Sequence, residues 1–196
     1  MKGIFYGIGI GPGDPEHITL KAVRMMKEVD VIAAPGTDVK ETLAYRIAVQ
    51  AVPEIEQKEM LPIDMPMTMD KELLLKAHKS GAETIEKVLA EGKSVGFITL
   101  GDTTVYSTFS YLEKIVKNHG FETVYISGIT SFCAAAASLG IPLTEWQEPL
   151  HVIPAVHQLD DKLALDGSYV LMKSGRQMPK VKEILCLLYT SDAADE

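Results

Sequence analysis

Three glycine-bearing segments hold the side chains best placed for chemistry: GIGIGPGDP from Gly7 to Pro15, TLGDTTVYS from Thr99 to Ser107, and SGITSFCAAAASLG from Ser127 to Gly140. The first invites a dinucleotide reading, but its spacing fails. A GxGxxG run starting at Gly7 needs glycine where Pro12 stands, and one starting at Gly9 needs it at Asp14. The acidic residue expected further on would be Asp30, which precedes the second strand, whereas ribose recognition needs one at that strand's end. Repeated glycine still lets backbone approach a ligand or another loop closely; a tight turn without a ligand is the plain alternative.

In the second segment Asp102 follows Gly101, with Thr103, Thr104, Tyr106 and Ser107 close behind, so many hydrogen-bonding groups share a small volume. The competing role for Asp102 is the N-cap of the next helix. The third segment sets Thr130 and Ser131 at a helix start, followed by Ala134 to Ala137, and by itself reads equally as a capped structural helix. No GxSxG nucleophile motif or P-loop occurs, and the histidines at 17, 78, 119, 151 and 157 lack metal-ligand spacing. Met60, Met65, Met67 and Met69 crowd the stretch MLPIDMPMTMD. Such methionines either fill core gaps or, when broken by proline, form an adaptable apolar surface.

The elements that must position these segments alternate. Strands are expected at Gly3 to Ile10, Val31 to Ala34, Glu59 to Leu61, Ser94 to Leu100, Phe121 to Ser127, Leu150 to Ile153 and Tyr169 to Met172. Helices are expected from Thr19 to Val29, with Leu20, Val23 and Met26, and beside them Ala22, Met25 and Val29, inward, and from Lys40 to Ala51, Asp70 to Glu91, Thr104 to Asn118 and Ser131 to Leu139. A weaker helix is read over Asp160 to Leu165. The last helix begins near Met178, with Val181, Ile184 and Leu185 apolar. This rhythm predicts an α/β fold with a largely parallel sheet, whose ligands sit beyond the carboxyl ends of the strands. A domain boundary is placed at the polar turn near Asn118 to Gly120, giving domains 1–119 and 120–196.

Composition sets the class. The chain has 196 residues, 46% hydrophobic and 23% charged, the balance of a globular protein. No apolar run approaches the roughly 18 residues of a membrane helix. Asp plus Glu number 27 against 19 Lys plus Arg, and the net charge of −8 argues against binding a nucleic-acid backbone. Two cysteines give no disulfide framework and fit a reducing cytoplasm. A cytoplasmic α/β enzyme or a small-ligand binder remains, the competing form of the latter being a non-catalytic nucleotide-binding α/β domain.

The run GIGIGPGDPEHITLKAVRMMKEVDVIAAP, then GDTTVYS, then SGITSFCAAAASLGIPL, resembles the tetrapyrrole methylase family in order and spacing, from the first strand to about Met172. Within it, MPMTMD (Met65 to Asp70) and GDTTVYSTF are similar to the branch that methylates C-20 of precorrin-2 or its cobalt form in corrin synthesis. Thr103 departs from the proline that sister members carry.

The resemblance implies two α/β domains with S-adenosylmethionine in the cleft between them, and a homodimer. It places Leu100, Gly101, Asp102, Val105, Tyr106, Thr130, Ser131 and Met172 at the cofactor. Gly11, Pro12 and Gly13, with Met65 and Met67, fall in the tetrapyrrole trough, and Asp14 is a candidate base by position. Arg24, Arg46, Lys173 and Arg176 are candidates for the substrate carboxylates. Family members continue further than this chain. The tail LCLLYTSDAADE, from about residue 186, is therefore expected to be non-native, the second domain incomplete and cofactor binding weak or absent.

Overall fold

A computed structural model of the chain describes residues 2–68, 70–154, 163, 165–175 and 178–192. Its first unit, Met1–Ala134, is a five-stranded parallel sheet in the order β3-β2-β4-β1-β5. The strands are β1 (Ile4–Gly9), β2 (Val31–Pro35), β3 (Glu59–Ile63), β4 (Val95–Thr99) and β5 (Glu122–Ile126). Connecting them are α1 (Leu20–Glu28), α2 (Leu43–Ala51), α3 (Lys71–Ala90) and α4 (Phe109–Asn118).

Strand alternation sorts the core into two layers. Ile8, Ile32, Ala34, Ile98 and Ile126 face α1 and α2, against Met26, Ile47 and Ala48. Phe5, Val31, Ala33, Val95 and Phe97 face α3 and α4, against Ile85, Leu89, Phe109 and Leu112. Phe5 and Phe109 have ring centroids 4.9 Å apart; burying each such ring contributes about 1.5–3 kcal/mol. A Cβ on Gly7 would lie 2.5 Å from the Phe109 ring, so the strand must carry glycine there. Gly81, the weak point of α3 in propensity terms, is where a Cβ would meet Ile63 at 2.8 Å and Leu112 at 3.2 Å.

Helix starts follow their caps. Thr19 accepts from Ala22 N at 3.2 Å, and Asp70 from Glu72 N at 2.9 Å and Leu73 N at 3.2 Å. Three sequence expectations change. Leu20, expected inward, is 88% exposed, whereas Ala22, Met25, Met26 and Val29 of the same expected set are buried and Val23 packs against the core. The helix expected from Lys40 starts at Leu43, because Asp38 takes Lys40 N into a local turn and Thr42 is the cap. The helix expected from Thr104 starts at Phe109.

The second unit, Ala135–Glu196, holds a two-stranded parallel sheet of β6 (Leu150–Pro154) and β7 (Ser168–Met172), and α6 (Met178–Asp192). The division falls inside α5 (Ser131–Leu139) rather than at 119–120, because β5 pairs with β1 and so belongs to the first sheet. On α6, Val181 and Ile184 are buried beside Leu171, whereas Leu185 is half exposed. The helix runs past Leu185 to Asp192. Most of the weak helix read over Asp160 to Leu165 lies outside the described residues. No helix among the described residues is long and apolar enough to cross a membrane.

One buried carboxylate ties α4 to the edge strand. Glu113 accepts from Thr123 Oγ1 at 2.8 Å and from the Tyr125 hydroxyl at 3.3 Å. Burial first, then the Glu113 charge, hold the Tyr125 phenol above its ordinary value of 10.0. A raised folded-state pKa means stability that is complete below pH 10 and lost as pH rises through the folded value. Thermal melts should therefore fall steadily above that pH, and Glu113→Gln should make the fall shallower. Identical slopes for both proteins would remove Glu113 from this account.

Candidate functional site

The three glycine segments begin at the carboxyl ends of β1, β4 and β5, and the glycines that meet there all lie in the first unit. Gly11 and Gly101 form an antiparallel bridge, with N–H donated to carbonyl at 3.2 Å and 2.8 Å. Gly9, Gly101 and Gly128 pack backbone on backbone. A Cβ on Gly128 would lie 2.2 Å from the Gly101 carbonyl oxygen, and one on Gly9 would lie 2.7 Å from Gly128 N. The glycines thus serve loop-to-loop contact, which selects between the two readings open for the first segment.

Asp102, 8% exposed, is neither a helix cap nor an unengaged acceptor. Its Oδ1 accepts from Thr104 N at 2.7 Å and from the Thr104 hydroxyl, and its Oδ2 accepts from Gly128 N at 2.8 Å. The carboxylate therefore clamps the β4 loop to the β5 loop. Thr103, fully buried, donates to Ile126 O at 3.2 Å, a bond that proline could not make. Ser107 Oγ accepts from Phe109 N at 3.2 Å and holds the entry to α4. Between these bonds Tyr106 takes φ 49°, a left-handed conformation unusual for a non-glycine residue.

The residues expected at the cofactor form an open face on this frame. Gly101 sits at φ 70°, and a Cβ there would meet only Ile129 O at 3.9 Å, so its backbone faces free space. On the same loop Leu100 and Tyr106 are 43% and 44% exposed, and Val105 is half-buried. Thr130 Oγ1 is buried without a hydrogen-bond partner among the described residues, so it does not cap α5; Ser131 follows it, exposed. A buried hydroxyl without a partner, beside exposed backbone and apolar side chains, fits a small ligand with polar and apolar parts. Met172 ends β7 in the second unit.

The residues expected at the substrate divide into two groups. Pro12 is half-buried, and Gly13 has nothing within 4 Å of a Cβ position. Asp14 accepts from Glu16 N at 2.9 Å in an exposed turn. After β3, Met65 and Met67 line a pocket of about 560 Å³ with Leu74, Leu75, His78 and Tyr111, and Thr108 and Lys71 also border it. The His78 and Tyr111 rings stack at 4.8 Å and 8°. Because Thr108 closes the GDTTVYST segment, the pocket adjoins the loop that carries Asp102.

Of the basic candidates, Arg24 pairs with Glu28 at 3.7 Å and Arg46 with Glu41, both on helix surfaces. Lys173 follows β7 at φ 58°, and Arg176 lies outside the described residues. Lys71, the cation on the pocket, escaped sequence reasoning, as did His78 and Tyr111. The only available signal was the spacing of Leu74, Leu75 and His78 on one helix face.

A family model described as Tetrapyrrole (Corrin/Porphyrin) Methylases matches residues 5–195. The chain is 38% identical over 180 residues to a probable cobalt-precorrin-2 C(20)-methyltransferase of Methanocaldococcus jannaschii, covering 91% of this chain and 76% of that one. It is 30% identical over 194 residues to a precorrin-2 C(20)-methyltransferase of Sinorhizobium sp, covering 93% and 78%. In fold it is similar to the uroporphyrin-III C-methyl transferase of Thermus thermophilus solved with S-adenosylhomocysteine: TM-score 0.61 and 23% identity, over 94% of this chain and 77% of that one.

Proposed function

Because the chain belongs to the tetrapyrrole methylase family, we propose that it transfers a methyl group from S-adenosylmethionine to C-20 of precorrin-2 or cobalt-precorrin-2 in corrin synthesis. The observation that carries this reading is the 38% identity, across most of both chains, to a relative named for that reaction. A non-catalytic nucleotide-binding domain loses its support with the family membership.

When bound, S-adenosylmethionine supplies a methyl group activated on a sulfonium centre. Leu100, Gly101, Val105 and Tyr106 would hold it, with the Thr130 hydroxyl taking one of its polar groups and Ser131 beside it. Met172 is assigned to its adenine side by resemblance alone. Asp102 acts on that surface by fixing the two loops that form it. The meso carbon of a reduced tetrapyrrole is itself electron rich, so the protein's main task is to position the reactants about 3–3.5 Å apart and in line. Gly11 to Gly13 and the Met65–Met67 pocket are the proposed substrate surfaces. A homodimer in the cytoplasm completes the proposal, and sedimentation velocity tests its assembly state.

The direct test incubates the chain anaerobically with S-adenosylmethionine and either precorrin-2 or its cobalt form, then locates any added methyl by mass spectrometry and NMR. Methylation at another carbon would move the assignment to a sister activity. The pocket has its own check. Replacing Met65 and Met67 together by serine should weaken tetrapyrrole binding about tenfold or more, as two thioethers that the macrocycle would cover, Met65 half-buried and Met67 fully exposed in the free chain, are lost. S-adenosylhomocysteine binding should stay unchanged, and equal loss of both would mark a core defect instead.

A further inference from the structure

Methyl transfer to a meso carbon leaves a proton that must depart, and the obvious carboxylates are poorly placed to take it. Asp14 Oδ1 is engaged by Glu16 N in an exposed turn, and both Asp102 oxygens are engaged by backbone N–H groups. The pocket between α3 and α4 offers three titratable side chains: Lys71, His78 and Tyr111. An ammonium cannot accept a proton and a phenol accepts one poorly. The imidazole of His78 can. Its plane is set by the stack on Tyr111, 8° from parallel, and neither ring nitrogen has a hydrogen-bond partner among the described residues.

We propose that His78 is the base that removes the C-20 proton, in a pocket that seats the C-20 edge of the macrocycle with Lys71 toward a ring carboxylate. This rests on the C-20 methyltransferase reading above. As the new carbon–carbon bond forms from the macrocycle's π electrons, the sulfur–methyl bond breaks with its pair on sulfur. The C-20–hydrogen bond then breaks, its electron pair returns to the macrocycle, and the proton moves to an imidazole nitrogen and on to water. The flat Tyr111–His78 stack and the Met65 and Met67 thioethers suit an extended apolar ring. Burial holds the imidazole below its ordinary value of 6.5, so its proton-accepting form is present at neutral pH.

Single-turnover transfer to precorrin-2 carrying protium or deuterium at C-20 tests the assignment in the wild-type chain, H78Q and H78A. Loss of a general base should slow H78Q by about 100-fold or more. It should also expose a primary isotope effect larger than that of the wild type, and added imidazole should restore part of the H78A rate. Binding of sirohydrochlorin, the aromatised macrocycle, followed by absorbance, should fall far less in H78Q than the transfer rate does, whereas a mere wall residue would lower both alike. Wild-type rates in H78Q, or slow H78A that imidazole leaves unchanged, overturn the role of His78 alone. A wild-type chain that transfers no methyl to precorrin-2 overturns the function reading and this one together.

Discussion

Gly128→Ala is expected to abolish detectable S-adenosylhomocysteine binding and to lower the melting temperature by several degrees. The new Cβ would lie 2.2 Å from the Gly101 carbonyl oxygen and 2.8 Å from the Gly9 carbonyl carbon, and both neighbours are backbone. No rotamer change relieves such a contact, so the β5 loop must move away from the other two. Overpacking of this kind costs about 1–3 kcal/mol, and in a chain of this size each kcal/mol lowers Tm by about 2–4 °C. Displacing the loop also moves Thr130, two residues on. Gly13→Ala is the control: its Cβ would meet nothing within 4 Å, and its melt should match the wild type. Calorimetric titration with S-adenosylhomocysteine beside thermal melts reads both effects. Unaltered binding in Gly128→Ala would mean that the three loops do not need their close approach.

The parts of this fold legible in sequence are those written in local chemistry. Thr19 and Asp70 announce their helices because an N-cap needs only an oxygen and the N–H groups two or three residues on. The buried strands are legible as short apolar runs between glycines. The start of α4 was not, because side chains compete for the same donors. Asp102 takes Thr104 N and Ser107 takes Phe109 N, and between them Tyr106 is turned out of helical geometry. The division between units was hidden for a different reason. His119 and Gly120 do form a polar turn, but whether the next strand joins the old sheet depends on pairing with β1, which no local pattern records.

The site was legible to the extent that it sits on strand ends. Counting glycines at the carboxyl ends of β1, β4 and β5 found loops that the structure brings together, since only glycine permits backbones this close. It did not reveal that the glycines face one another. The pocket was half legible: Pro66 excludes regular helix around Met65 and Met67, yet their partners His78 and Tyr111 come from two helices that meet only through tertiary packing. Leu20 shows the converse error, where periodicity alone turned an apolar side chain inward that the structure leaves in solvent.

Asp102→Ala is expected to abolish methyl transfer, and the structure adds that stability falls with it. Sequence alone suggests a carboxylate waiting for ligand donors, whose loss would leave the fold intact. In the structure its two oxygens already serve Thr104 N at 2.7 Å and Gly128 N at 2.8 Å. Removing the acceptor strands two partly buried N–H groups, at about 1–3 kcal/mol for each one left unsatisfied. It also frees the β4 and β5 loops from each other, so the surface of Leu100, Gly101 and Thr130 loses its fixed shape. Asp102→Asn separates the two roles. Its carbonyl oxygen can keep the Thr104 bonds, but its NH₂ would then face the Gly128 N–H, donor against donor. A clamp predicts graded losses, with asparagine intermediate in both melting temperature and S-adenosylhomocysteine affinity. A direct ligand contact predicts that affinity collapses in both variants while the melts stay at the wild-type value. The two hydrogen bonds accepted from Thr104 and the one accepted from Gly128 N favour the graded outcome, because they use the carboxylate before any ligand arrives.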